Sequence, residues 1–235
     1  MKHIPTQLLV WLLAVLMVWP WPVRLNAQSN GTTFKPEELE QLVAPIALYP
    51  DSLVSQILMA STYPLEVVQA DRWAKANKTL KGDALTKALE AQSWDPSVKS
   101  LVNFPQVLAA MSEKLDVTLK LGDAFLAQQK DVLNAIQRLR ARAQAQGNLK
   151  TTKEQTVIVE PPATPTTVVE QPAAQQTTVI RIEPTDPQVV YVPTYNPTVV
   201  YGAWPYPAYP PYSYPYYPGS ATQVMLPLSP GCSGR

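Results

Sequence analysis

Between Phe34 and Gly147 apolar side chains recur at three- and four-residue spacing, and prolines, glycines and Asp/Ser pairs interrupt them. That period predicts amphipathic helices sharing a core. Leu39, Leu42, Val43 and Ile46 form the first face, entered through Pro36, with Glu37, Glu38 and Glu40 placed for the positive end of the macrodipole. Pro50-Asp51-Ser52 punctuates, and Leu53, Ile57 and Leu58 begin a second face. Pro64 opens a third segment, with Val67, Val68 and Trp73 inward and Glu66, Asp71, Arg72 and Lys75 mostly outward. Gly82-Asp83 precedes Leu85, Ala88 and Leu89; Asp95-Pro96 caps a helix carrying Val98, Leu101 and Val102; Pro105 starts one with Val107, Leu108, Met111 and Leu115. The longest helix is predicted over 123–146, with Phe125, Val132, Ile136 and Leu139 on one stripe and Gly147 as its stop. Arg138, Arg140 and Arg142 read as a solvated helix end, a stronger reading than a patch for anionic lipid or phosphate because no aromatic or further basic run accompanies them. A mainly α fold follows, with an orthogonal helical domain over 34–147 that is expected to fold alone.

Composition changes near Gly147: residues 34–147 carry 26 charged side chains and six prolines, residues 148–235 nine and sixteen. Residues 148–178, rich in Thr, Pro and Gln, read as an extended linker. Thr178-Val179-Ile180-Arg181-Ile182 alternates like a strand, and Pro187-Gln188-Val189-Val190-Tyr191 returns ten residues later as Pro197-Thr198-Val199-Val200-Tyr201. A short β-meander is therefore expected over 179–202; too small to stand alone, it should dock as a strap on the helical domain. Residues 203–235 form a Tyr/Pro-rich, low-complexity tail whose proline density suits an extended, disordered stalk.

The amino terminus carries Lys2 and His3, an apolar run from Leu8 to Trp19, and Leu25-Asn26-Ala27. This predicts a secretory signal peptide over 1–27 and a mature leader over 28–33, because the run is shorter than the roughly 20 residues a spanning helix needs. Export out of the cytoplasm follows, with membrane contact only through an uncleaved signal segment or a missing carboxyl-terminal region.

Charge and chemistry narrow the function. The whole chain has 19 basic and 18 acidic side chains, and so near-neutral a balance argues against nucleic acid as a partner, which would call for a basic face to displace counterions. His3 and Cys232 are its only histidine and cysteine, so His-based triads, Cys/His pairs and the usual zinc sites have no residues to use. No metal or cofactor is expected. Acid–base chemistry in the mature chain would fall to carboxylates, and Glu66, Asp71 and Asp95 are the weak catalytic candidates because each lies near an aromatic: Tyr63, Trp73 and Trp94 respectively. Their ordinary roles are stronger: Asp95 before Pro96 is the expected helix cap, and Glu66 and Asp71 suit an exposed face or a link to Arg72 or Lys75. Candidate binding residues are Trp73, Trp94, Tyr191, Tyr195, Tyr201, Trp204, Tyr206, Tyr209 and Tyr212, whose rings combine large contact area with polar tips.

The strings ALYPDSLVSQILMASTYPLEVVQADRW (Ala47–Trp73), AQSWDPSVKSLVNFPQVLAAM (Ala91–Met111), LGDAFLAQQKDVLNAIQRLRARA (Leu121–Ala143) and PTDPQVVYVPTYNPTVVYG (Pro184–Gly202) resemble the bacterial envelope family called domain of unknown function 3300. The resemblance covers about 34–218 and implies an exported Gram-negative protein with no transferable catalytic residues. Family members continue beyond the Tyr/Pro tract into an apolar segment and a polar tail, so the ending near Gly231-Cys232 reads as truncated. Two functions are weighed: a non-catalytic envelope protein binding a protein or cell-wall component, and a carboxylate-dependent glycan (peptidoglycan) hydrolase. The absence of imidazole and of a Gly-rich phosphate loop favours the first.

Overall fold

Prolines set where the helices begin. Pro36, Pro64, Pro96, Pro105 and Pro197 each occupy the first turn of a helix, where a missing N–H removes a donor that would have no intrahelical partner. A computed structural model describes residues 33–161, 178–186 and 189–214, together with the backbone of 223–225. The expected signal peptide and leader up to Thr32, the central part of the 148–178 segment, Pro187-Gln188 and the tail elsewhere beyond Tyr214 lie outside the described residues.

The described residues hold eight helices: α1 Pro36–Val43, α2 Asp51–Ala60, α3 Pro64–Ala76, α4 Gly82–Glu90, α5 Pro96–Leu101, α6 Pro105–Glu113, α7 Leu115–Ala145 and the single turn α8 Pro197–Val200. The fold is mainly α, as the periodicity predicts. α1 lies along α7, α2 packs on α5, and α3 packs on α6. Buried Leu39, Ile46, Leu53, Ile57, Leu58, Leu101, Leu108, Met111, Leu121 and Leu139 fill the space between them.

The longest helix starts eight residues earlier than expected and bends at Gln128, whose backbone leaves helical geometry (φ −142°, ψ 49°). Here the Gln128 carboxamide is bonded to the chain entering the bundle. Its Oε1 accepts from the Phe34 N–H at 2.7 Å and its Nε2 donates to the Phe34 carbonyl at 3.3 Å. The helix ends at the predicted stop. Gly147 adopts φ 72°, its N–H donates to the Gln144 carbonyl and that of Asn148 to the Ala143 carbonyl, which is a Schellman termination with Leu149 buried behind it.

Two short antiparallel ladders follow. β1 Gln155–Glu160 pairs with β2 Val179–Pro184, placing Val157 opposite Ile182 and Val159 opposite Ile180. β3 Val189–Tyr191 pairs with β4 Gln223–Met225. Residues 155–160, read as linker, are thus a strand, because the partner that orders them lies some twenty residues away and leaves no local trace. The second copy of the repeat is also corrected: Pro197–Val200 is a helical turn. Asn196 Oδ1 accepts from the Thr198 N–H at 3.0 Å and Pro197 supplies the preset first turn, so cap chemistry overrides the β-branched run.

Ile180 and Ile182, at 2% and 0% exposure, together with Val190, Val192, Val200 and Tyr201, belong to the same core as the helices. Where α7 crosses the α2–α3 turn the backbones nearly touch: a methyl group on Gly122 would lie 2.3 Å from the Ser61 carbonyl oxygen. Gly122→Ala gains up to about 1 kcal/mol of helix propensity but forces a backbone overlap costing about 3 kcal/mol. Urea unfolding should therefore show a net loss of about 2 kcal/mol; an unchanged or raised midpoint would contradict this packing.

Candidate functional site

Glu66 in α3 reaches across to α5, where its Oε2 accepts the Asp95 N–H at 2.7 Å. Asp95 caps α5 through the Ser97 N–H at 2.8 Å and also accepts from the Ser97 hydroxyl. Trp94 donates its indole N–H to Gln69 Oε1 at 3.1 Å and meets Trp73 edge to face at 6.0 Å. The structure brings Glu66, Trp73, Trp94 and Asp95 together as the joint between α3 and α5, their polar atoms engaged in helix capping and packing. Asp71, expected on the outward face, is 5% exposed and paired with Lys75 at 2.8 Å. It borders an open groove of about 270 Å³ between α3 and α6, floored by Ala74, Pro105 and Ala109.

The remaining candidates lie on the strap. Tyr195 and Tyr201 both donate their hydroxyls to the Ala44 carbonyl, at 2.9 and 2.6 Å, and Tyr195 also accepts from the Leu48 N–H at 3.3 Å. The strap is thereby fastened to the turn between α1 and α2. Rings then succeed one another from inside to outside: Tyr49 to Tyr195, Tyr195 to Tyr201, Tyr201 to Trp204 and Trp204 to Tyr206, each step 6.1 or 6.2 Å between centroids. Most steps are edge to face, the geometry favoured by ring quadrupoles. Tyr191 stands apart, beside a shallow cleft with Lys153, Glu154 and Asp186.

The Tyr/Pro tract, expected to project as a stalk from residue 203, packs against the body as far as Tyr214. Trp204 donates its indole N–H to the Tyr209 carbonyl at 2.7 Å and closes Trp204–Tyr209 into a loop. Gln41 of α1 donates to the Pro210 carbonyl at 2.6 Å and accepts from the Tyr212 N–H at 3.3 Å. Trp204, Tyr212 and Tyr214 rest on the core as half-buried rings. Composition alone suggests a stiff spacer; the tract finds a docking face because Gln41 of α1 meets Pro210 and Tyr212 and the core accepts the rings of Trp204, Tyr212 and Tyr214. A cavity of about 40 Å³ remains under the strap among Tyr49, Gln106, Tyr195 and Tyr214, room for a few water molecules.

The three arginines are not a solvated helix end. Arg138 and Arg142, four residues apart and on one face, both pair with Glu40, at 2.6 and 2.8 Å, and Glu40 is fully buried. The guanidinium of Arg142 also lies 5.8 Å from the Trp204 ring and 5.7 Å from Tyr206, within cation–π reach. Arg140, 2% exposed, donates to the carbonyls of Ala47, Tyr49 and Ile180 at 2.8, 3.1 and 2.8 Å and pairs with Asp51 at 2.6 Å. Sequence reasoning missed Glu40, Gln41, Tyr49 and these arginine roles. The one available signal was spacing: Arg138 and Arg142 share a helix face that Arg140 does not, so they could not all end in the same solvent.

Among the described residues no group of three His, Cys, Asp or Glu is placed to hold a metal ion, and no helix is long and apolar enough to cross a membrane. A family described as "Protein of unknown function (DUF3300)" matches residues 35–233. The chain is 49% identical over 196 residues to the uncharacterized protein YacH of Escherichia coli (strain K12), covering 77% of this chain and 32% of that relative. The chain thus spans about a third of that relative's length. No solved structure matches.

Burial raises the pKa of Tyr49, Tyr195, Tyr201 and Tyr214, with neighbouring tyrosines adding to the effect at Tyr49 and Tyr195. The folded state therefore favours neutral phenols over an unfolded chain in which they titrate near 10. Their contribution is complete below that pH and is lost as pH rises from there through the higher folded values. Thermal midpoints should be flat up to about pH 9.5 and fall above about pH 10, and the fall should be shallower in Tyr195→Phe/Tyr201→Phe. A midpoint insensitive to pH across that range would contradict the burial of these rings.

Proposed function

Because the chain belongs to the DUF3300 family, whose function is unknown, we infer that it is an exported, non-catalytic bacterial envelope protein that binds a protein or cell-wall component. The observation that carries this reading is the outer end of the aromatic ladder: Trp204 and Tyr206 held beside Arg142 on a loop pinned by Gln41. Rings already fixed in place give up little conformational entropy when a partner arrives, so contact area converts into affinity with small loss. A ring pair flanking a guanidinium suits sugar faces and polar polymer chains.

The carboxylates support the same reading from the other side. Glu66 and Asp95 cap a helix junction, Asp71 is paired with Lys75, and Glu40 is paired with two arginines. A hydrolase requires one acid free to give a proton and another facing the substrate, and these four are oriented to other groups. The signal-peptide pattern of residues 1–27 supports export.

The test is retention of the purified chain on isolated cell-wall sacculi and, in parallel, in-cell crosslinking through a photoreactive residue at the neighbouring exposed position Ala208. Trp204→Ala/Tyr206→Ala should weaken retention or crosslinking about tenfold, the size expected when central aromatic anchors are truncated. Glu66→Gln, Asp71→Asn and Asp95→Asn should bind as the parent does, with no glycan released by any of them. Release of glycan by the parent that one of these carboxamides abolishes would overturn the reading.

A further inference from the structure

The outward face of α7 carries a ridge that nothing within the described chain covers. Leu119, Leu126 and Leu133 are 44%, 72% and 44% exposed, and their seven-residue spacing is close to two helical turns. The buried positions Val117, Leu121 and Ala124 before the Gln128 bend resume in phase at Val132, Ala135 and Leu139 after it, so the three leucines stay on the face opposite the core. The ridge adjoins further apolar surface, since Gly122 lies between Leu119 and Leu126 and against Ser61, whose neighbours Met59, Tyr63 and Leu65 are 46%, 39% and 74% exposed. Leucines this exposed in line on one helix are a contact surface without its partner.

Charge identifies the partner. Asp116 and Asp123 flank the ridge in its first half and Lys130 in its second, all three exposed. Neither Asp123 nor Lys130 makes an ion pair among the described residues. This pattern is complementary to itself when reversed. We propose that the Leu119–Leu126–Leu133 ridge is the interface of an antiparallel homodimer, with a two-fold axis near Leu126. In that arrangement Leu126 meets the partner's Leu126, Leu119 meets the partner's Leu133, and Asp123 lies beside the partner's Lys130 on both sides of the axis. A parallel pair would set Asp123 against the partner's Asp123 and Lys130 against the partner's Lys130. A closed two-fold contact of this kind uses one self-complementary patch and leaves the aromatic strap free for other ligands.

Sedimentation equilibrium of the purified chain over a concentration series tests this. The parent should dimerise, and Leu126→Glu should weaken dimerisation at least about tenfold with unchanged far-UV circular dichroism, because the side chain is already mostly in water. Asp123→Lys and Lys130→Asp alone should each weaken association, and the double reversal Asp123→Lys/Lys130→Asp should restore it, which only the antiparallel register allows. A parent that stays monomeric, association that survives Leu126→Glu, or single reversals without effect would overturn the proposal. The charge variants decide the matter even if Leu126→Glu fails to fold.

Discussion

One guanidinium holds three parts of this fold in register. Arg140 is buried on α7 and satisfies carbonyls of the α1–α2 turn at Ala47 and Tyr49, the carbonyl of Ile180 in β2 and the carboxylate of Asp51 at the start of α2. A buried charge is tolerable only when its donors are met and a counter-charge is near; leaving such a group unpaired costs about 3–5 kcal/mol. The turn, the strand and the helix start must therefore take these positions together. The strap tyrosines bind the same turn from the other side through the Ala44 carbonyl. The turn is short of its own hydrogen-bond partners and is satisfied from outside by α7 and the strap.

This arrangement explains what was legible in the sequence and what was not. Helix starts at Pro36, Pro64, Pro96 and Pro105 and the stop at Gly147 were readable because each depends on chemistry within a few residues. The Asp95 cap was readable for the same reason. The strand at 155–160 was not, since its order comes from pairing with 179–184, and the helical turn at Pro197 was hidden behind a β-branched repeat. Composition misled most at the arginines and the Tyr/Pro tract. Three arginines near a helix end and a run of tyrosines and prolines resemble solvated segments until Glu40, Asp51 and Gln41, about a hundred residues or more away, are placed against them.

Of the candidate site, the residues were found more readily than their roles. Trp73 and Trp94, candidate binding rings by sequence, form a packing joint, with Trp94 bonded to Gln69 and Asp95 held by Glu66. Tyr195 and Tyr201, candidates on the same grounds, turn inward as fasteners, and Trp204 and Tyr206 carry the ladder out to Arg142. Which rings face inward depends on the carbonyl each hydroxyl can reach, and that is a property of the assembled turn. The same rigid backing that fixes these rings makes them suited to binding without rearrangement.

Helices and strap form one cooperative unit through the α1–α2 turn. Native-state hydrogen exchange tests it most directly, because the Leu48 amide donates to Tyr195 and the Ile180 amide to Gln137 of α7. These two amides should share the protection of the Leu139 amide within α7 and lose it in the same global opening. Exchange of Leu48 and Ile180 through a separate opening of much lower free energy, with Leu139 still protected, would show the strap to be a dispensable cover and the two parts to be uncoupled.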